Sequence, residues 1–229
     1  MAKGTPQAPA EDEPARVAEA AALLGLAYVV VTSVTRDDLA DGGASHFIRT
    51  IAALRDRIPG VRIEALVPDF GGDAGALAAV VAAAPDILNH NLETTESFYP
   101  VIHRPAENYR RSLGVLRRAK DAGAVTKSGL MIGLGESEDD LLAALRDLRS
   151  AGCDLLTLGQ YLQPTRAHAP VAKYVTPEEF AGWKAVALDL GFADVEAAPL
   201  VRSSFHAHKL YDTLARIPRS PVHAVPDLQ

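Results

Sequence analysis

Polar side chains gather in the sequence directly after β-rich runs, where parallel α/β proteins carry their functional loops. The clearest string is Asn-His-Asn-Leu-Glu at positions 89–93, which follows a short apolar run. Loops are generally polar, and that accounts for part of the pattern. Amide, imidazole and carboxylate groups placed directly after a buried strand are better explained by a pocket for a polar ligand.

Two glycine strings could add backbone donors to such a pocket. Gly42-Gly43 follows Asp41 and an earlier β-rich run, and exposed amides of this kind suit a carboxylate or a phosphate. A simple turn explains the pair equally well. Gly133-x-Gly135 resembles a nucleotide-binding loop but lacks the third glycine and the lysine of the phosphate-binding motifs. Close backbone approach to a ligand and a turn leading into a helix are both compatible with it.

Two further candidates have competing interpretations. Ser203-Ser204 follows the last apolar segment, and either serine could cap a helix over 205–214, which is the simpler interpretation of these residues alone. Lys127 approaches the pocket along a predicted strand and is the one plausible Schiff-base lysine. A metal-free barrel enzyme such as an aldolase is therefore one alternative.

Composition narrows the classes of function. The 229 residues are 48% hydrophobic and 23% charged, the balance of a soluble globular protein. The net charge of −6, with no basic run, argues against a nucleic-acid partner. No apolar stretch approaches the ~20 residues needed to cross a membrane. The N-terminus lacks the apolar core of a signal peptide, so a cytoplasmic location is expected.

The cysteine and histidine patterns predict no metal site. Cys153 is the single cysteine, which excludes an internal disulfide, and no C-x-x-C motif occurs. The seven histidines, His206 and His208 apart, show no spacing typical of metal ligands. Cys153 precedes a predicted strand at the end away from the polar loops, and we expect it to be a small core residue.

The elements that position these groups repeat in the order helix, glycine, strand. Pro14 suits the first position of a helix. Ser137 with Asp140, and Thr176 with Glu179, have the spacing of capping boxes. Predicted strands cover 28–34, 61–67, 86–89, 125–131 and 155–161, and helices are predicted over 44–57 and from positions near 73, 105, 137 and 177.

Alternating strands and helices with short loops predict a parallel sheet with right-handed crossovers. Five or six strands are fewer than the eight of a full barrel, so a partial barrel and an open doubly wound sheet both fit. No linker divides the core, which predicts one domain over 13–214. The Pro-rich ends, 1–12 and 215–229, are predicted to be flexible.

Taken in order, the strand-end strings resemble the lipoyl synthases, a family of radical SAM enzymes, from about Gly4 to His208. Such a series is far more specific than any single motif. The matching strings are VVVTSVTRDDLADGGA (29–44), EALVPDF (64–70), NHNLET (89–94), TKSGLMIGLGE (126–136), LTLGQYLQP (156–164) and VRSSFHA (201–207).

This resemblance implies a partial (β/α) barrel of the radical-SAM type that inserts two sulfur atoms into an octanoyl chain. No side chain has a useful pKa against an alkane C–H bond, so a cofactor must carry that step. In the family one [4Fe-4S] cluster cleaves S-adenosylmethionine (SAM) to a carbon radical, and a second [4Fe-4S] cluster donates sulfur. The implied partner is an octanoylated lipoyl-carrier domain or a glycine-cleavage carrier protein.

The resemblance also implies roles for individual residues. Asp41, Gly42 and Gly43 would receive the methionine end of SAM. Asn91 and Glu93 would bind its polar groups. The other implied positions are Arg104 and Lys127 near the cofactor carboxylate or the acyl substrate, Gly133 and the edge from Gln160 to Gln163 beside the adenosine, and Ser204 as a ligand of the second cluster.

The chain departs from the family pattern in its cysteines. The C-x-x-x-C-x-x-C motif would precede Gly4, so we expect the first barrel strand and all six thiolate ligands to be missing. Cys153 alone cannot hold a cluster that needs about four ligands. A misassigned start, a split gene and an engineered fragment would each account for this departure.

Two hypotheses follow from the resemblance. The first is a shortened lipoyl synthase that is inactive alone. The alternative is a non-catalytic scaffold that binds SAM or the carrier domain. Without a first strand, the edge of 28–34 should lack a neighbour, and such edges invite strand addition or aggregation. We therefore expect poor solubility, or a separate cysteine-bearing segment that covers this edge.

Overall fold

A computed structural model of the chain describes residues 6–204, and a parallel sheet forms its centre. The strands are β1 (Tyr28–Thr32), β2 (Arg62–Leu66), β3 (Ile87–Asn89), β4 (Thr126–Ile132), β5 (Leu155–Gln160) and β6 (Asp194–Ala197). They lie in sequence order, and each neighbouring pair is parallel. A sheet that adds every strand on the same side through right-handed crossovers carries its helices on one face. The predicted partial (β/α) barrel is therefore confirmed, and the doubly wound alternative is wrong.

Six α-helices alternate with these strands in the described part of the chain. They are α1 (Glu13–Leu23), α2 (Ala44–Arg57), α3 (Ala74–Ala82), α4 (Glu107–Asp121), α5 (Glu138–Ser150) and α6 (Pro177–Asp189). Both predicted capping boxes are present. The Ser137 side chain accepts from Asp140 N while the Asp140 side chain accepts in return, and Thr176 and Glu179 make the same reciprocal pair.

The boundaries differ from prediction by a few residues where the local pattern is weak. β1 ends at Thr32 rather than at Val34, whose side chain is 73% exposed. The helix expected from Pro105 begins at Glu107. The predicted domain limits stay predictions, because residues 1–5 and 205–229 lie outside the described part.

The barrel has an apolar outer layer and a polar interior. Ile63 and Ala65 of β2 point towards the helices and are buried among apolar neighbours, while Glu64 between them points inwards. The same alternation turns Asn89 of β3 and Lys127 of β4 towards the interior, and both are 0% exposed. The strands therefore bring polar groups together below the carboxyl edge of the sheet.

The outer edge of β1 borders a second feature of the barrel. Among residues 6–204, β1 has one neighbouring strand, β2. A cavity of about 400 Å³ lies beside it, lined by Val29 and Val31 of the strand, Val17 of α1 and Phe47 of α2. Within residues 6–204 this edge of β1 has no neighbouring strand, as expected. None of the described helices is both long enough and apolar enough to span a membrane.

Candidate functional site

A polar cavity of about 510 Å³ opens at the carboxyl ends of β1, β2 and β3. That volume is typical of a small-molecule site. Loops after three strands and the start of α4 contribute its walls, as expected for a parallel sheet. The side chains that matter for recognition are those of Thr32, Asp69, His90, Asn91, Glu93 and Arg104.

Glu93 and Arg104 form a loose ion pair in this cavity. Glu93 Oε1 lies 3.4 Å from Arg104 Nη2, and the two side chains are 25% and 41% exposed. Burial raises the pKa of Glu93 above its ordinary value, and the charge of Arg104 opposes that shift. Because this ion pair is partly exposed and its contact is long, each of the two side chains can leave the other and pair with a charged group of a ligand.

The backbone at Glu93 is strained. Its φ angle is +74°, and His103, which also lines the cavity, has φ of +58°. Glu93 N donates to Gly129 O at 3.0 Å and Glu93 O accepts from Met131 N at 2.7 Å, so two bonds to β4 hold this conformation. Non-glycine residues with left-handed backbone are common at functional sites, where contacts with the surrounding structure offset the conformational strain.

His90 belongs to the wall of the cavity. Its Nδ1 lies 2.9 Å from Val67 O and its Nε2 lies 3.0 Å from Ser112 Oγ. The carbonyl can only accept, so Nδ1 carries the proton and Nε2 accepts from the serine hydroxyl. Burial lowers the pKa of His90, which keeps the ring neutral.

Beneath the cavity lies a fully buried ion pair between Glu64 and Lys127. Lys127 Nζ is 3.0 Å from both carboxylate oxygens, and both side chains are 0% exposed. Glu64 also accepts from Asn89 Nδ2 at 2.6 Å and from Tyr28 Oη at 2.8 Å. Sequence reasoning missed Glu64, although a carboxylate inside a buried strand always needs a partner.

The serine segment, Ser203 and Ser204, lies across the mouth of the barrel. Asn91 Nδ2 donates to Ser203 Oγ at 2.8 Å, and Lys127 Nζ donates to Ser203 O at 2.6 Å. Ser204 follows directly and is exposed. The predicted helix over 205–214 lies outside the described residues, so the capping interpretation stays a prediction.

The two glycine strings already hold carboxylates of the chain itself. The Asp41 carboxylate accepts from Gly43 N at 3.0 Å and Ser45 N at 2.8 Å at the start of α2, and its bonds to Ser45 lower the pKa of Asp41. In the same way Glu136 accepts from Gly133 N at 2.6 Å, and also from the next amide. Both sets of amides bind carboxylates of the chain, although an anion was predicted only at Gly42-Gly43.

Glutamine side chains near the end of β5 are engaged with the backbone. Gln160 Nε2 donates to Lys173 O at 3.0 Å, and its Oε1 accepts from Val175 N at 2.9 Å. Gln163 is exposed and donates to His168 O at 2.8 Å. A Cβ at Gly133 would overlap Lys173 O and the Gln160 amide, so the glycine is needed for this packing.

The predicted site residues therefore fall into two groups. Asn91, Glu93 and Arg104 meet at the strand-end cavity, with Lys127 below it and Ser204 beside it. The remaining predicted cofactor contacts, which lie away from this cavity, are Asp41, Gly42, Gly43, Gly133, Gln160 and Gln163.

The described residues do not fit a [4Fe-4S] cluster. No three His, Cys, Asp or Glu side chains within residues 6–204 come together as metal ligands. Cys153 precedes β5 at the end of the barrel away from the cavity and is 0% exposed. Burial raises the pKa of its thiol well above the ordinary value, which disfavours the thiolate that binds metals.

Comparison with a known structure supports the fold. Methylornithine synthase, known from a crystal structure, superposes with a TM-score of 0.56 at 12% identity, covering 93% of this chain and 74% of that one. At this identity the likeness concerns the fold alone.

Similarity in sequence identifies the family of the chain more closely than the fold does. The model of the radical SAM superfamily matches residues 1–148. The lipoyl synthase of Rubrobacter xylanophilus is 53% identical over 90% of this chain and 64% of its own length. The lipoyl synthase of Nitratidesulfovibrio vulgaris is 53% identical over 93% of this chain and 71% of its own length. The lipoyl synthase of Thermus thermophilus is 54% identical over 87% of this chain and 62% of its own length. The chain thus spans roughly two thirds of the length of these relatives, and it belongs to the lipoyl synthase family of the radical SAM superfamily.

Proposed function

We propose that this chain supplies the cofactor- and substrate-binding barrel of a lipoyl synthase. Such an enzyme inserts two sulfur atoms into an octanoyl chain attached to a carrier protein. The observation that carries the proposal is the Glu93–Arg104 pair, held on strained backbone in a cavity at the carboxyl edge of the sheet. A chain of this family with such a cavity is suited to SAM.

The chemistry of SAM matches the residues of the cavity. Its amino-acid end carries an ammonium and a carboxylate, which suit the Glu93 carboxylate and the Arg104 guanidinium respectively. The Asn91 amide can add a hydrogen bond of either sense. The more distant positions named by resemblance, Asp41 to Gly43 and Gly133 with Gln160 and Gln163, stay predictions.

The clusters need ligands that these 229 residues do not contain. Breaking an unactivated C–H bond is the work of a cofactor and not of a side chain. A [4Fe-4S] cluster is held by about four ligands, mostly cysteine thiolates. The chain offers Cys153, which is buried, and Ser204, which is exposed and is proposed as a further ligand. We expect the chain alone to bind SAM and to catalyse nothing.

A separate cysteine-bearing segment is the proposed partner within the enzyme. An extended segment could pair with β1 and fill the cavity of about 400 Å³ beside it. Gel filtration of the chain, with and without such a segment, tests this idea. We expect association or aggregation without the segment and a defined 1:1 complex with it. A stable monomer that melts cooperatively and does not bind the segment would contradict the proposal.

The carrier substrate is proposed to be an octanoylated lipoyl-carrier domain or a glycine-cleavage carrier protein. Calorimetric titration of the chain with SAM, and then with the octanoylated carrier, tests both binding steps. The decisive assay adds the cysteine-bearing segment, iron and sulfide and measures lipoyl product by mass spectrometry. Product supports the enzyme. Binding of SAM or of the carrier without product would favour the scaffold, and absence of binding to either ligand would contradict both hypotheses.

A further inference from the structure

Lys127 has no hydrogen-bond donor left for a ligand. An ammonium group has three N–H donors. In Lys127 they reach Glu64 Oε1 at 3.0 Å, Glu64 Oε2 at 3.0 Å and Ser203 O at 2.6 Å. Its side chain is 0% exposed, so no ligand in the strand-end cavity touches it without breaking one of these bonds.

Neighbouring strands bind the same stretch of chain that Lys127 contacts. The stretch 198–204 leaves β6 and crosses the end of β5, where Ala198 N donates to Leu158 O at 3.2 Å. Val201 is 1% exposed, and a Cβ at Gly159 would overlap its carbonyl oxygen. Asn91 then binds the Ser203 hydroxyl from the β3 side. The stretch is therefore held from three strands.

We propose that Lys127 is a positioning residue that fixes the backbone of Ser203, and with it Ser204, across the mouth of the barrel. Glu64 is its fixed counter-charge. Lys127 then acts on the reaction through the serine segment and not through contact with SAM or the acyl chain. The reason for fixing Ser204 rests on the proposed function, in which this serine is a cluster ligand. The restraint of the backbone by Lys127 does not depend on the proposed function.

The buried carboxylate explains why a lysine can do this. Burial lowers the pKa of Lys127, and the charge of Glu64 acts against that change. Glu64 is held in turn by Asn89 and Tyr28, which fix the direction of the ammonium. A charged donor restrains a carbonyl more strongly than a neutral one does.

Hydrogen exchange of the whole chain, followed by mass spectrometry, tests the restraint without SAM or clusters. In Lys127→Met, we expect amides of 198–204 to exchange about tenfold or more faster, the effect of losing one charge-assisted hydrogen bond. The amino-terminal half of β5 should keep its exchange rate. The double variant Glu64→Gln/Lys127→Met removes the buried charge as well, so it folds even if the single variant does not, and it should show the same local acceleration.

The matched control is Lys120→Met, which removes a lysine paired with Asp154 at 2.7 Å at the opposite end of the barrel. It should leave exchange in 198–204 unchanged. Unchanged exchange in the double variant would overturn the proposal, as would equal acceleration in Lys120→Met. Failure to bind SAM would count against the proposed function and would leave this result intact.

Discussion

A lower carboxylate–cation pair, Glu64 with Lys127, and an upper one, Glu93 with Arg104, differ in burial, in contact geometry and in backbone conformation. Glu64 and Lys127 are 0% exposed and meet through two contacts of 3.0 Å. Glu93 and Arg104 are partly exposed and meet once, at 3.4 Å. The lower pair sits on regular strands, whereas the upper pair includes a residue with φ of +74°.

From this difference we infer that a carboxylate–cation pair stabilises the fold in the lower position, and we propose that the upper pair recognises a ligand. Each donor of Lys127 is satisfied by the protein, so the lower pair is a fixed part of the core. Arg104 makes one long contact and keeps donors for a ligand. The lower pair is therefore structural and the upper pair is proposed to bind a ligand, and substitutions can test that difference.

The largest effect should come from breaking the lower pair. Lys127→Met leaves the Glu64 carboxylate buried without its counter-charge, and we expect the free energy of unfolding to fall by about 3–5 kcal/mol. Urea unfolding followed by circular dichroism measures the change. Glu64→Gln/Lys127→Met should recover most of it, because no uncompensated charge remains. A single variant as stable as wild type would show that the pair contributes nothing to the core.

His90 belongs to the wall of the cavity and should make stability depend on pH. Its pKa is lowered in the folded state, so the unfolded chain binds a proton first as the pH falls. Its contribution is complete above the ordinary histidine pKa near 6.5 and is lost as the pH falls towards the lowered value. By pH 5 the loss is at most about 2 kcal/mol, the limit set by the unfolded pKa.

His90→Gln isolates this term, since an amide can replace both hydrogen bonds to Val67 O and Ser112. Thermal melts between pH 5 and pH 7.5 should show a shallower loss of stability in the variant than in wild type. His168, which is partly exposed and lies 2.9 Å from Thr165 Oγ1 through its Nδ1, is the control, and His168→Gln should keep the wild-type slope. Parallel pH profiles for wild type and His90→Gln would refute the assignment.

A smaller effect of opposite sign is expected in the upper pair. Glycine adopts a φ of +74° without steric cost, so Glu93→Gly should raise the free energy of unfolding by up to about 1 kcal/mol. Glu96→Gly, at the start of a short 3₁₀ helix, should lower it instead. Chemical denaturation of both variants checks the signs. Destabilisation of Glu93→Gly as large as that of Glu96→Gly would contradict a strained site.

Much of the fold could be predicted because its signals are local. The range of α2 matches the predicted 44–57, and the capping boxes before α5 and α6 are read from residues three apart. The parallel direction of the strands follows from alternation and handedness, whereas their order was left open between a partial barrel and a doubly wound sheet. No strand was predicted over the range of β6, because its four residues include Asp194 and Glu196 and lack an apolar run.

The site was harder to predict because its contacts join distant parts of the chain. Lys127 and Glu64 are 63 positions apart in the sequence, and the residue pattern of neither strand predicts that the two side chains pair. The string at 89–93 did point to the cavity, since its residues leave one strand together. The role of the glycine strings stays a prediction, and the sequence did not indicate that the amides of Gly43 and Gly133 bind the nearby carboxylates of Asp41 and Glu136.

Calorimetric titration with SAM tests whether the upper pair receives the cofactor. Arg104→Met removes the guanidinium of the upper pair, whereas Arg110→Met removes an exposed one that pairs with Glu96 at 2.9 Å just outside the cavity. If the upper pair receives the cofactor, the first variant should bind SAM about tenfold or more weakly than wild type, and the second should bind it equally well. Equal affinity of wild type and Arg104→Met, or equal losses in the two variants, would contradict the account.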